Sequence, residues 1–576
     1  MLKLEPLLAD GVATVAAAAR ATRPEHGLAA AAVLAAAAFL LWAWRRASLD
    51  LYKIPEAPSN WPILGILPDY WRHSDIAALQ LRCVEQANAG PFVRVRAAHK
   101  HVVIVADPAA AAEILSRSGP HRVPRKVPEY AAFDIATGLH GHHSILTEQD
   151  EPRWVAVRKA LAPAYGAAAI RENWPWIVDA YRTMGRRIAA AVDAAAAERK
   201  AAAAGGNGAA NAGGAPADVH IDHLALAASV QLQVEGLFRV PADAKKCIDE
   251  LQIASDLEAA IGAVHNYGVA PWNKLIHFAL PWATAEGRQL HPARRRLAEA
   301  FTAIYDHVAA CPPPEAGDVT LGACLRRLRD PHTGAPPPVE RLLAEVGNQI
   351  MAPETAAHTL SWALFCVATH PDVEARLLEE LRAAGLPCDG DLEGALTALE
   401  AAGPDALTPQ SARYLTAVLN ESMRMYPAGA SASPRLTERP TRVGPYMVPA
   451  GVMVFPCLHV INNWSGNWED PRKFTPDRWL VPPGSPDPAL DPASGAPRFL
   501  PFSSGPKACI GGALGLVAVR TAAAALLSTY QFSLAERMGP ADGIEGRTKL
   551  ALTLKVEGGM WLSTRRRAPA PATAAA

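Results

Sequence analysis

The stretch PFSSGPKACIGG, residues 501–512, constrains this 576-residue chain more than any other. It places one cysteine, Cys509, in a glycine- and proline-rich loop directly ahead of an apolar helical run at 513–527. A thiol there sits near a helix N-terminus, where unpaired backbone N–H groups and the helix dipole favour the thiolate. Such a thiolate is a soft ligand suited to iron. Gly505 allows a tight bend, and Gly511 lets the helix approach a flat group closely. A buried structural cysteine beside a turn is the competing reading of the loop taken alone.

Three further spacings stand out. Glu421 and Arg424 lie three apart in a helical run that ends at Tyr426 and Pro427, so they share a face. Within the long helical pattern 338–368, Met351-Ala352-Pro353-Glu354-Thr355 inserts a proline that cannot donate a bond to the Gln349 carbonyl. Trp154 and Arg158 are four apart on a third helix. Taken singly, these read as a solvated ion pair, a helix-interior Thr bonding back to a carbonyl, and a basic surface face.

Taken together and in this order, they resemble the cytochrome P-450 family. Phe502-x-x-Gly505-x-Lys507-x-Cys509-x-Gly511 is similar to that family's haem-binding loop, with Lys507 where Arg or His is usual. Lysine keeps the charge and loses the bidentate fork. The resemblance implies Cys509 as axial ligand to the iron of haem b. It implies a structural triad of Glu421, Arg424 and Arg478, the last within FTPDRW, where Asp477 and Trp479 are mild departures. Trp154, Arg158 and Arg435 are implied partners of the haem propionates. Glu354 and Thr355 match the acid and alcohol that relay protons to dioxygen, although Met351 and Ala352 replace a small residue and a glycine. Pro353 is expected to fix a kink that makes room for oxygen and water. The implied activity is insertion of one oxygen atom from dioxygen into a lipophilic substrate: a sterol, terpenoid, carotenoid or fatty acid. NADPH–cytochrome reductase or another donor would supply the electrons. A haem-thiolate isomerase or dehydratase, and a non-catalytic haem sensor, are the alternatives.

The implied fold is mainly α with a small β region, preceded by a single N-terminal transmembrane helix. Residues 27–44 carry no charge, and a helix of that length rises about 27 Å against a hydrocarbon core of about 30 Å. Arg45, Arg46 and Lys53 follow, which places the bulk of the chain in the cytosol. The endoplasmic reticulum is the expected membrane and a plastid membrane the alternative; an alanine-rich leader or targeting helix is the competing reading of the span. Around this anchor the organisation reads as a leader at 1–26, a proline-rich linker at 45–62, the catalytic domain at 63–562 and a loose tail at 563–576. FVRVR and HVVIV predict a hairpin. Residues 194–217 carry too little apolar bulk to pack and are expected to be disordered, while 390–409 and 481–497 read as loops.

Eight scattered cysteines without a CxxC pair argue against a zinc ribbon or a disulfide scaffold. Equal numbers of basic and acidic residues, 56 each, give no net attraction to nucleic acid. His140, His142 and His143 invite a metal assignment, but without a carboxylate at ligand spacing a solvated or substrate-lining loop is the better reading.

Overall fold

Alternation of β-branched residues builds the first sheet. Strands β1 (Phe92–Ala97) and β2 (Lys100–Val105) pair antiparallel, from Phe92 opposite Val105 to Ala97 opposite Lys100. Val93, Val95, Val103 and Val105 are buried in this hairpin, as its sequence predicts. The computed structural model describes residues 35–39, 50–58, 61, 64–72, 75–87, 90–97, 100–137, 142–204, 216–244, 248–269, 279–430, 434–482 and 484–568. The leader at 1–26 and all of the 27–44 span except the helical residues 35–39 lie outside them.

Short strands follow along the chain: β3 (Ala217–His220), β4 (Arg435–Leu436), β5 (Thr441–Val443), β6 (Tyr446–Val448), β7 (Met453–Pro456), β8 (Tyr530–Leu534), β9 (Thr548–Leu550), β10 (Leu554–Val556) and β11 (Trp561–Arg566). The largest sheet runs β1-β2-β7-β4. In it β7 is parallel to β2 and antiparallel to β4, which sets Arg435 opposite Val454. A three-stranded sheet runs β3-β11-β8, and β9–β10 and β5–β6 are two-stranded.

Helices carry most of the mass: α1 (Glu151–Leu161), α2 (Trp174–Ala204), α3 (Ile221–Gln231), α4 (Glu250–Val269), α5 (Ala285–Ala310), α6 (Val339–Met351), α7 (Glu354–Ala368), α8 (Pro371–Ala383), α9 (Leu392–Ala402), α10 (Arg413–Met425) and α11 (Gly512–Thr529). The architecture is therefore mainly α with a small β region, as implied. Among the described residues, α11 is the helix long and apolar enough to cross a membrane, yet 72% of it is buried inside the protein. It is a core helix, and its small alanines let neighbours pack closely.

Four expected boundaries move. Residues 194–204 were expected to be disordered, but they continue α2, because alanine is the strongest helix former and holds the helix beyond its last core contact. Ala217 already belongs to β3, and residues 205–215 lie outside the described ones. The segment 390–409 contains α9 rather than a loop: Asp391 caps it by accepting from the Gly394 N–H at 3.0 Å, and Leu392, Leu396 and Leu399 are buried. The linker is already part of the fold, since the Arg94 N–H donates to Pro55 O at 2.8 Å and the Ala57 N–H to Arg94 O at 3.0 Å. The tail is tied down further than expected: Arg565 and Arg566 complete β11, and the Arg567 N–H donates to Thr529 O at 3.0 Å.

Candidate active site

The loop before α11 is shaped by one glycine. Gly505 has φ +71°, and a Cβ there would lie 1.8 Å from the Leu115 carbonyl oxygen, so no other residue fits without moving the chain. A short 3₁₀ turn, Gly505–Lys507, follows, and the Cys509 N–H donates to Phe502 O at 2.9 Å. This closes the loop and turns the Cys509 thiol onto a cavity of about 380 Å³, which Phe502 and Gly511 also line. An added Cβ at Gly511 would meet the Tyr165 ring at 3.6 Å, an ordinary contact. Burial pushes the Cys509 thiol up, opposed by the Gly511 N–H and by Arg158. The Gly511 N–H at the start of α11 thus favours the thiolate, as the loop's place before a helix implies.

Four cations border the same cavity: Lys126, Arg158, Arg435 and Lys507. Three of them gather around Trp154, with Lys507 Nζ 3.8 Å, Arg158 5.7 Å and Lys126 5.8 Å from its ring centroid. Lys507 donates to Glu151 at 2.7 Å. The other three meet carbonyls: Lys126 those of Ile145 and Leu146 at 2.5 and 2.8 Å, Arg158 that of Ala508 at 2.6 Å, and Arg435 that of Pro434 at 3.1 Å. Burial, with Lys507 and Arg435 nearby, drives Lys126 well below its ordinary value, and burial lowers Arg435 too. Among the described residues only Lys507 of the four has a carboxylate at salt-bridge distance, so the group fits a ligand that brings carboxylates of its own. Haem, with its two propionates and an iron for the thiol, meets that requirement. Among the described residues no group of three His, Cys, Asp or Glu could hold a bare metal ion.

The opposite wall is the break between α6 and α7. Pro353, at φ −60° and ψ −14°, ends one helix and starts the other. Ala352, Pro353, Thr355 and Ala356 face the cavity. The Thr355 hydroxyl donates to Ala352 O at 3.0 Å, so the back-bonding read from sequence is present and the side chain still borders the cavity. Glu354 does not line it. Its carboxylate is fully buried among other groups, 3.3 Å from Lys555 Nζ and 3.9 Å from His358 Nδ1. Burial works against charge on Lys555, yet Glu354 and Glu258 hold it above its ordinary value. Successive helical residues point about 100° apart, and here that separates the acid from the alcohol.

Glu421, Arg424 and Arg478 come together as expected. Glu421 and Arg424 have no exposed side-chain surface and join through two bonds, at 2.9 and 3.0 Å. Arg478 Nε lies 3.4 Å from Glu421. The sequence reading missed three more members: the Trp479 indole donates to Glu421 at 2.9 Å, and Arg424 donates to the carbonyls of Asn462 and Pro471 at 2.9 and 2.8 Å. A run of aromatics at the FTPDRW segment was the available signal for the first.

A second ionic cluster, also missed, clamps the segment that covers the cavity. Ile145 and Leu146 line the cavity, and the Ile145 N–H donates to Glu345 at 3.1 Å. Arg341 reaches Glu148 at 3.0 Å and Glu345 at 3.2 Å. His143 bonds Asp134 at 3.0 Å, and Thr147 donates to the same carboxylate at 2.9 Å. His143 therefore has a structural partner from a neighbouring helix, while His140 lies outside the described residues. Burial pushes Glu345 up to about 7. A raised acid binds its proton more tightly when folded, so this carboxyl makes stability fall as pH rises from its unfolded value of 4.5 through about 7. We expect Glu345→Gln to flatten that fall in pH-dependent thermal unfolding; an unchanged curve would assign the titration elsewhere.

Comparison with known proteins gives a consistent family. The model for cytochrome P450 matches residues 55–203 and 332–558. A flavonoid 3′,5′-hydroxylase of Crocosmia x crocosmiiflora is 23% identical over 524 residues, covering 87% of this chain and 89% of the relative. A cytochrome P450 monooxygenase of Aspergillus fumigatus is 32% identical over 196 residues, 34% of either protein. The steroid 21-hydroxylase of Canis lupus is 30% identical over 204 residues, 35% of this chain and 37% of the relative. The chain thus spans about a third of the fungal and canine relatives and most of the plant one.

Proposed function

The chain belongs to the cytochrome P450 family, and from that premise we propose that it is a haem-thiolate monooxygenase acting on a lipophilic substrate. The observation that carries this reading is the Cys509 thiol opening onto a cavity bordered by four cations. Haem b is the proposed cofactor; when bound, it supplies the iron at which dioxygen is cleaved. One oxygen atom enters the substrate and the other leaves as water, with two electrons from a partner and two protons.

Cys509 would hold the iron through sulfur, on the loop that Gly505 and the bond to Phe502 O fix in place. Arg158, Arg435, Lys507 and Lys126 would bind the two propionates, and the Trp154 ring packs against Arg158, Lys507 and Lys126. Lys507 would bind as a point charge, steered by Glu151. Thr355 borders the cavity beside Pro353, and its hydroxyl would order water there. Glu354, paired with Lys555 and away from the cavity lining, would serve as the proton source through water. Glu421, Arg424 and Arg478 keep the framework beneath the cofactor rigid.

The electron donor is proposed to be NADPH–cytochrome reductase, with residues 27–44 anchoring the chain in the endoplasmic reticulum or, alternatively, a plastid membrane; Arg45 and Arg46 on the flank support a cytosolic catalytic domain. Sterol, terpenoid, carotenoid and fatty-acid substrates all suit the apolar lining given by Phe133, Ile145, Leu146 and Leu552. Reconstitution with NADPH and the reductase tests the reading. Oxygen uptake and product should match, and Thr355→Ala should raise oxygen uptake several-fold over product. Turnover without NADPH would favour the isomerase or dehydratase alternative, and absence of oxygen uptake with any electron donor would favour a sensor.

A further inference from the structure

One part of the cavity wall is polar for no reason that the cofactor supplies. Gln349 lies on α6, and Gln233 lies on a π-helical turn, Leu232–Leu237, that continues α3 and packs against α6. Both line the cavity, and both are buried, with 2% and 7% of their surface exposed. The Tyr165 hydroxyl donates to the Gln349 amide oxygen. Among the described residues the Gln349 amide nitrogen and the Gln233 amide oxygen have no partner. Their neighbours do not answer the need: the Ser229 hydroxyl donates to Ala225 O at 2.8 Å. Burial pushes Tyr165 and Tyr181, which share this wall, upward, so both remain neutral phenols.

A buried amide donor and a buried amide acceptor left empty both cost stability, and native proteins rarely tolerate the pair. The π turn sharpens the point, since such turns break helical register and recur where a side chain is aimed at a ligand. Haem cannot satisfy the acceptor. Its propionates carry no hydrogen to donate and are claimed by the cations, and the rest of its periphery is hydrocarbon.

We propose that Gln233 and Gln349 form a hydroxyl-binding subsite in this wall, holding one small neutral O–H molecule. The Gln349 amide nitrogen donates to its oxygen, and its hydrogen goes to the Gln233 amide oxygen. Were the Gln349 amide turned over, a water with two hydrogens would still bridge the pair, whereas an alcohol would not. The subsite depends on the cavity and not on the oxygenation chemistry, so each can fail without the other.

A crystal structure of the haem-loaded full chain, at a resolution that shows waters, is the direct test. Density is expected within hydrogen-bond distance of both amide atoms. In parallel, Gln233→Leu and Gln349→Leu should each lower the thermal midpoint by a few degrees. The double variant should fall no further than the worse single one, because both polar ends of one bridge are gone. Titration with isopropanol separates the sources: no response alongside the density assigns water, and a saturable rise in midpoint that Gln233→Leu abolishes assigns a small alcohol. Clear density for both side chains with nothing between them, or with the amides bonded to protein atoms, would overturn the subsite; so would fully additive losses in the double variant.

Discussion

Glu421→Ala yields no haem-loaded protein. Glu421 accepts from Arg424, Arg478, the Trp479 indole and the Thr475 N–H, so its carboxylate joins four donors, one on its own helix and three on the FTPDRW segment. Removing it leaves the Arg424 guanidinium, which has no exposed surface, without its counter-charge. Breaking a buried pair from one side costs about 3–5 kcal/mol. A typical domain has only about 5–15 kcal/mol in hand, so the loss falls on the packing of α10 against the FTPDRW turn and against α11, the helix that follows the Cys509 loop. The check is the ratio of Soret to protein absorbance after expression with haem supplied. Stable, fully loaded Glu421→Ala protein would show that the cluster is dispensable.

Gly505→Ala comes next in size. The added Cβ would meet the Leu115 carbonyl oxygen at 1.8 Å, and φ +71° is itself unfavourable for alanine. Backbone oxygen cannot step aside as a side chain can, so the loop has to shift. Cys509 moves with it, four residues on and tied through Phe502 O. We expect folded protein with haem content several-fold lower and a weakened thiolate signature in what remains. Gly546→Ala, whose added Cβ meets nothing within 4 Å, is the control and should load normally. Equal loading of the two variants would mean that the loop geometry does not position the sulfur.

Short-range spacing makes much of the site legible in the sequence. The Cys509 loop, the Glu421–Arg424 pair and the Trp154–Arg158 pair are each written within a dozen residues, and local backbone periodicity fixes how their members relate. Glu354 shows the limit of that reasoning. Its place beside Thr355 is plain in sequence, but the face it takes is decided by Lys555, 201 residues away. Lys126, Arg341 and Glu345 were invisible for the same reason: the Ile145–Glu345 bond joins positions 200 residues apart. For α9 the signal existed, since Leu392, Leu396 and Leu399 follow helical spacing after a capping Asp391. The end of α2 went the other way, because low apolar content was read as disorder although alanine favours the helix whether or not it packs.

The carbon monoxide difference spectrum of the dithionite-reduced protein tests the central claim most directly. A strongly red-shifted Soret band, lost in Cys509→Ser, is the predicted result and places a thiolate from this cysteine on the iron. A haem spectrum without the shift would contradict thiolate ligation, and well-folded protein that takes up no haem when it is supplied would contradict the account as a whole.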